Sequence, residues 1–336
     1  MKKLIQLLSM MIVLVVIGGL FSACEGPEGP EGPAGKNGVA ALATCDNCHD
    51  VDTELKARML QYAASTHALG GNFERSTASC APCHTHEGFV NVLATGETGD
   101  ISNPTPPGCR TCHNIHTTYT VDDYALTATA PVELAVGGKT YDAGKSNLCA
   151  NCHQSRPLTL PEFNDADFEI TSSRFGPHHG PQANVIMASG LVEIPGSKDY
   201  PTTSNKHAGT GNGCVDCHMA EAYGVQAGGH SMAVAYEYHE ETVLNDAGCV
   251  DCHDDGATKL EDYKVEMQAL MTEISAKLVE KGLMTESGSA VTGTTTGKLA
   301  SALLNYRTIA IEDKSFGVHN PKYVRALLTN TLESLK

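Results

Sequence analysis

Apolar positions are unevenly distributed along the chain. A largely apolar run occupies residues 4–20, interrupted by Gln6 and Ser9. Near the other end, Leu260, Tyr263, Met267, Leu270, Met271, Ile274 and Leu278 recur at three- and four-residue spacing. That period predicts a long amphipathic helix from residue 259 to about 284. A Gly/Thr/Ser turn is expected over 287–297, a second helix over 298 to about 311, and a third beginning at Pro321 and ending near Leu335. Such a hairpin packs either as core or as a dimerisation surface. Between the two ends, stretches rich in Gly, Pro, Thr, Ser and Asn, such as 96–108 and 195–213, predict loops. Short helices, such as one over 53–64, punctuate them.

The N-terminus reads Met1-Lys2-Lys3, then the apolar run, then Phe21-Ser22-Ala23-Cys24. A basic start, a short apolar stretch and small residues before a cysteine predict an export signal over 1–23, with Cys24 as the lipidated residue of a lipoprotein. The run is short for a membrane span. Residues 24–38 carry glycine at every third position, as collagen does, but in too few triplets for a triple helix. They predict an extended tether. The chain is therefore expected to be exported and lipid-anchored at the outer membrane, on its periplasmic face or at the cell surface.

The net charge is −16, and losing Lys2 and Lys3 with the signal makes it more negative. Nucleic acid as a partner is excluded on charge, because phosphate binding needs basic surface. Cationic redox partners fit it. Aromatic residues make up 5% and tryptophan is absent, so large side chains alone would build a modest core.

Twelve of the thirteen cysteines fall in six Cys-x-x-Cys-His motifs: Cys45, Cys48 and His49; Cys80, Cys83 and His84; Cys109, Cys112 and His113; Cys149, Cys152 and His153; Cys214, Cys217 and His218; Cys249, Cys252 and His253. This is the attachment signature of c-type haem, with two thioethers and a proximal imidazole. Zinc does not require a histidine after each pair, and a disulfide framework needs neither the histidine nor so tight a spacing. The expected cofactors are six covalently bound c-type haems. The expected fold is mainly α with much irregular loop, wrapped around a haem stack. Residues 39–256 form the multihaem region and 257–336 a helical C-terminal part carrying a distal histidine.

Nine histidines lie outside the motifs. Those expected to complete the irons are His67, His116, His207, His230, His319 and one of the pair His178/His179, with His179 chosen. His86 and His239 are read as solvent-facing or supporting residues. Methionine is an alternative ligand, but histidine suffices.

This arrangement resembles the superfamily of pentahaem ammonia-forming nitrite reductases and octahaem hydroxylamine-oxidising enzymes over about 80–336. The resemblance rests on the order of the last five motifs, with the longest gap before Cys214, and on His207 preceding Cys214-Val215-Asp216-Cys217-His218. It rests further on His230 between the last two motifs, and on Ser315-Phe316-Gly317-Val318-His319-Asn320-Pro321 after the long helix. It implies that His207, His230 and His319 are distal ligands and that the motif at Cys45 is an added N-terminal haem. Two departures stand out. His84 occupies the place where the reductases typically carry lysine at the catalytic haem, and no tyrosine follows His153 in Gln154-Ser155-Arg156. Nitrite reduction is therefore not carried over.

The expected function is electron transfer in the cell envelope, between other cytochromes or redox proteins, with a homodimer through the C-terminal helices as a further possibility. The alternative is a reductase with one open haem at His84. There His179, Arg156 and Arg75 would act on a small nitrogen or sulfur oxyanion.

Overall fold

In the computed structural model the described residues are 49, 53–209 and 211–336, all within one compact unit. The expected export signal over 1–23, Cys24, the expected tether over 24–38, and Cys45 and Cys48 of the first motif lie outside them. No described helix is long and apolar enough to cross a membrane.

The fold is mainly helical with much irregular chain, and sheet is confined to two-stranded antiparallel pairs among the described residues. Helix α1 (Thr53–Ala63) is followed by the single turn α2 (Thr66–Leu69), capped by Ser65, whose hydroxyl accepts from the Ala68 N–H at 3.3 Å. The turns α3 (Ala81–His84), α5 (Cys109–Cys112), α6 (Asn147–Ala150) and α8 (Cys214–His218) carry the second to fifth motifs. In four motifs the N–H of the histidine bonds the carbonyl of the first cysteine, at 3.2 Å for His84, 2.9 Å for His113, 2.8 Å for His153 and 2.9 Å for His253. One helical turn thus brings both thiols and the imidazole to one side. Helix α4 (His86–Thr95) starts at the buried cap Thr85 and ends at Gly96, whose φ of 74° only glycine adopts freely.

The strand pairs are β1 (Val132–Glu133) with β2 (Thr140–Tyr141), β3 (Asp167–Ile170) with β6 (Gly293–Thr296), and β4 (Ala235–Tyr238) with β5 (Glu241–Leu244). The expected turn over 287–297 thus contains β6, which pairs with a strand far back in the sequence.

The C-terminal helices are α9 (Gly256–Glu280), α10 (Gly297–Tyr306) and α11 (Pro321–Ser334), with α7 (Gln182–Ile186) packed nearby. The expected stripe on α9 is used inside the chain: Met267, Met271, Ile274 and Leu278 are buried against α10 and α11, in a core that also takes in Ile170, Val185, Leu191 and Ile194. The second expected helix is interrupted. Its α-helical part stops at Tyr306 and a π-helical segment, Arg307–Asp313, takes over. Buried Arg307 anchors that segment, donating to the carbonyls of Phe175 and Gly288.

Asparagines on these helices hold extended chain in place of a sheet. Asn305 exchanges hydrogen bonds with the backbone of Val192, and Asn330 donates to the carbonyls of Ile194 and Lys198 while accepting from the Lys198 N–H. By contrast, residues 53–131 bury only Ala81 and Phe89 among their apolar side chains.

Candidate haem-binding histidine pairs

Each motif histidine faces a histidine from outside the motifs. The ring centres stand 6.1 Å apart for His49–His116, 6.0 Å for His67–His153 and 6.3 Å for His84–His178. They stand 6.2 Å apart for His113–His230, 6.4 Å for His207–His253 and 6.4 Å for His218–His319. The interplanar angles run from 25° to 84°. Stacking forces would favour particular ring orientations. Here the separation is held while the orientation varies, as for two rings facing one point end-on. A metal–imidazole bond of about 2.0 Å on each side, plus about 1.1 Å from nitrogen to ring centre, spans roughly 6.2 Å.

The structure differs from the sequence expectation at the adjacent pair. His178, with a left-handed backbone φ of 71°, faces His84. His179 turns instead to the buried carboxylate of Glu312, at 2.5 Å, which Arg307 approaches from the other side at 3.7 Å. Of the two histidines set aside, His86 bonds Thr111 of the third motif at 3.0 Å, and His239 sits with φ 49° in the β4–β5 turn.

Supporting residues fix the rings. The N–H of His230 donates to Gln61, buried on α1, at 3.0 Å. The loop carrying His116 (φ 64°) is tied to Asp123, whose carboxylate accepts from the N–H groups of His116, Thr118 and Tyr119 and from the Thr118 hydroxyl. Nδ1 of His113 bonds the Tyr124 carbonyl, that of His153 the Gln182 amide oxygen, that of His207 the Val318 carbonyl and that of His218 the Met232 carbonyl. His319 bonds Asp313. Sequence reasoning missed Gln61, Asp123, Glu312 and Asp313. None has a local spacing to a motif that would have marked it.

Five of the paired rings are held toward the neutral form. Desolvation by the surrounding protein, followed by His153 and His218, lowers His67 to about 4. Desolvation, then Arg156, His179, His84 and Arg75, lowers His178 to about 4. Desolvation also lowers His84, His153 and His230. A neutral imidazole is the ligand form. At His319, desolvation works the same way but Asp313 outweighs it, and the ring is raised.

The ten described cysteines are free. Thiols of different motifs meet: Cys83 with Cys152, and Cys149 with Cys214, which also touches the Tyr141 hydroxyl at 3.3 Å. Cys83 and burial push Cys152 up, while Cys152 draws Cys83 down. No group of three or more His, Cys, Asp or Glu converges on one point among the described residues, as an all-protein zinc site would require.

No protein-family model matches the chain, and no curated protein matches it.

Proposed function

We propose that this protein is a hexahaem c-type cytochrome that carries electrons in the cell envelope. The observation that carries the reading is the set of six ring pairs, each joining one motif histidine to one other histidine at 6.0–6.4 Å. The donor set fits the group: two thiols and an imidazole close in each described motif, a second imidazole opposite, and five rings lowered toward the neutral ligand form. The scarcity of apolar core in 53–131 also supports it, since flat apolar macrocycles would supply the missing surface.

Each haem, when bound, takes up and releases one electron. The chain's own residues do the rest. The thiols fix position, and the Nδ1 hydrogen bonds orient the rings and set their basicity. Two histidines holding each haem would leave substrate no open position. The thiol contacts Cys83/Cys152 and Cys149/Cys214 join the attachment points of the second, fourth and fifth motifs, which suits short transfers between neighbours. The acidic surface suits cationic redox partners. A lipid on Cys24 would hold the protein at the outer membrane, and the family resemblance belongs to the same proposal.

One observation favours a second reading. Arg75, Arg156 and His179 gather about His178 and His84, so withdrawal of His178 would leave a cationic pocket suited to a small oxyanion.

Haem stoichiometry by intact mass and pyridine haemochrome, with EPR of the oxidised protein, tests both. Six haems with only low-spin signals support the carrier. A high-spin signal that responds to nitrite or hydroxylamine supports the second reading, and absence of covalent haem removes both.

A further inference from the structure

Four of the paired rings bond neutral oxygens through Nδ1: His113 at 2.7 Å, His153 at 3.1 Å, His207 at 2.7 Å and His218 at 2.9 Å. His319 bonds a carboxylate, Asp313 Oδ1, at 2.7 Å. The Asp313 side chain is 0% exposed. Its second oxygen accepts from the Ser315 hydroxyl. The neighbouring acid on the π segment, Glu312, has Arg307 beside it. Among the described residues no Lys or Arg pairs with Asp313, so its charge is met by the imidazole and the Ser315 hydroxyl.

Resting on the haem reading above, we infer that Asp313 is the positioning residue that lowers the potential of the haem held by His218 and His319. Two effects act with the same sign. A carboxylate acceptor draws on the Nδ1 proton and makes the imidazole a more electron-rich ligand, which favours the oxidised iron. A buried negative charge also favours the more positive iron, and it acts through a medium that screens poorly. The neutral acceptors at His113, His153, His207 and His218 supply the first effect weakly and the second not at all. The fold delivers this contact deliberately. The π segment ends at Asp313, Lys314 turns the chain with φ 59°, and the loop over 314–320 brings His319 back onto the carboxylate.

The test is a spectroelectrochemical titration of the holoprotein at fixed pH, comparing wild type with Asp313→Asn, Asp313→Glu and Ser315→Ala. Asp313→Asn should raise one midpoint by the equivalent of at least a tenfold change in electron affinity, about 59 mV for one electron, while the spectrum stays low-spin. Asp313→Glu should largely restore it. Ser315→Ala leaves the charge and removes a competing donor, so the same midpoint should fall. Unmoved midpoints in Asp313→Asn overturn the inference, as does an equal rise in Asp313→Glu. If Asp313→Asn does not accumulate, Ser315→Ala decides, and an unmoved midpoint there overturns the inference as well. A wild-type protein without covalent haem would instead overturn the underlying reading, which haem stoichiometry on the same sample reveals.

Discussion

The ring of His178 faces His84 at 6.3 Å, while its neighbour His179 is drawn away to Glu312 at 2.5 Å. Two adjacent residues of one type thus have different tasks. His178→Ala should convert one haem to a high-spin form that binds exogenous ligands, and His179→Ala should leave all six low-spin. Visible and EPR spectra of the two variants check this, and a high-spin signal in His179→Ala would reverse the assignment.

Asp123 acts on His116 through backbone. Its carboxylate accepts four hydrogen bonds from the loop that holds His116 at φ 64°. Without it the left-handed conformation loses its support, at a cost of order 1–3 kcal/mol. Asp123→Ala should make the haem of His49 exchange its distal ligand, seen as cyanide binding at one site. Cyanide inertness equal to wild type would contradict the role.

Asn330 is fully buried and satisfies two carbonyls and an N–H of the chain over 194–198. Unpaired buried groups cost about 1–3 kcal/mol each, so Asn330→Ala should lower unfolding stability by at least about 2 kcal/mol. The half-exposed bidentate pair Arg325–Glu266 at 2.7 and 2.8 Å is worth at most about 1 kcal/mol. Denaturant melts of Asn330→Ala and Arg325→Ala should therefore rank in that order.

That ion pair also carries a pH dependence. The Arg325 hydrogen bond holds the Glu266 carboxyl below its ordinary range. Its contribution is present above the unfolded value of about 4.3 and is lost as pH falls through the lower folded value. The advantage of wild type over Glu266→Gln should exist at pH 7 and close below pH 4. A gap independent of pH would assign the effect to packing.

Residues 53–131 bury little apolar side chain, whereas 256–336 hold most of the core. Chain matured without haem attachment should lose protease protection first in 53–131 and keep it longest across α9, α10 and α11. Limited proteolysis with mass mapping reads this directly, and uniform cleavage would argue that the helices also depend on haem.

The helices were legible because their apolar period is local. The expected start at 259 and end near 284 for α9 compare with Gly256–Glu280, and the shortfall is physical: Gly282, at φ 70°, turns the chain so that Leu283 and Met284 fold back into the core. The π segment was not legible, since it depends on Arg307 reaching carbonyls of Phe175 and Gly288. The Thr-rich β6 read as a turn because its partner, β3, is remote in sequence. The motif histidines were plain from spacing. Their partners were legible as a supply of imidazoles but not as pairs, and the choice of His178 over His179 depends on Glu312, remote in sequence, holding His179.

The pairs His49–His116, His67–His153, His84–His178 and His113–His230 interleave along the chain. Each begins inside the span of the one before and ends outside it. If an iron ties each pair, these ties form a laced seam and not a row of separate loops. No tie could then be released without loading its neighbours, and the mechanical strength of this half of the molecule would belong to the lacing more than to the sparse core beneath it.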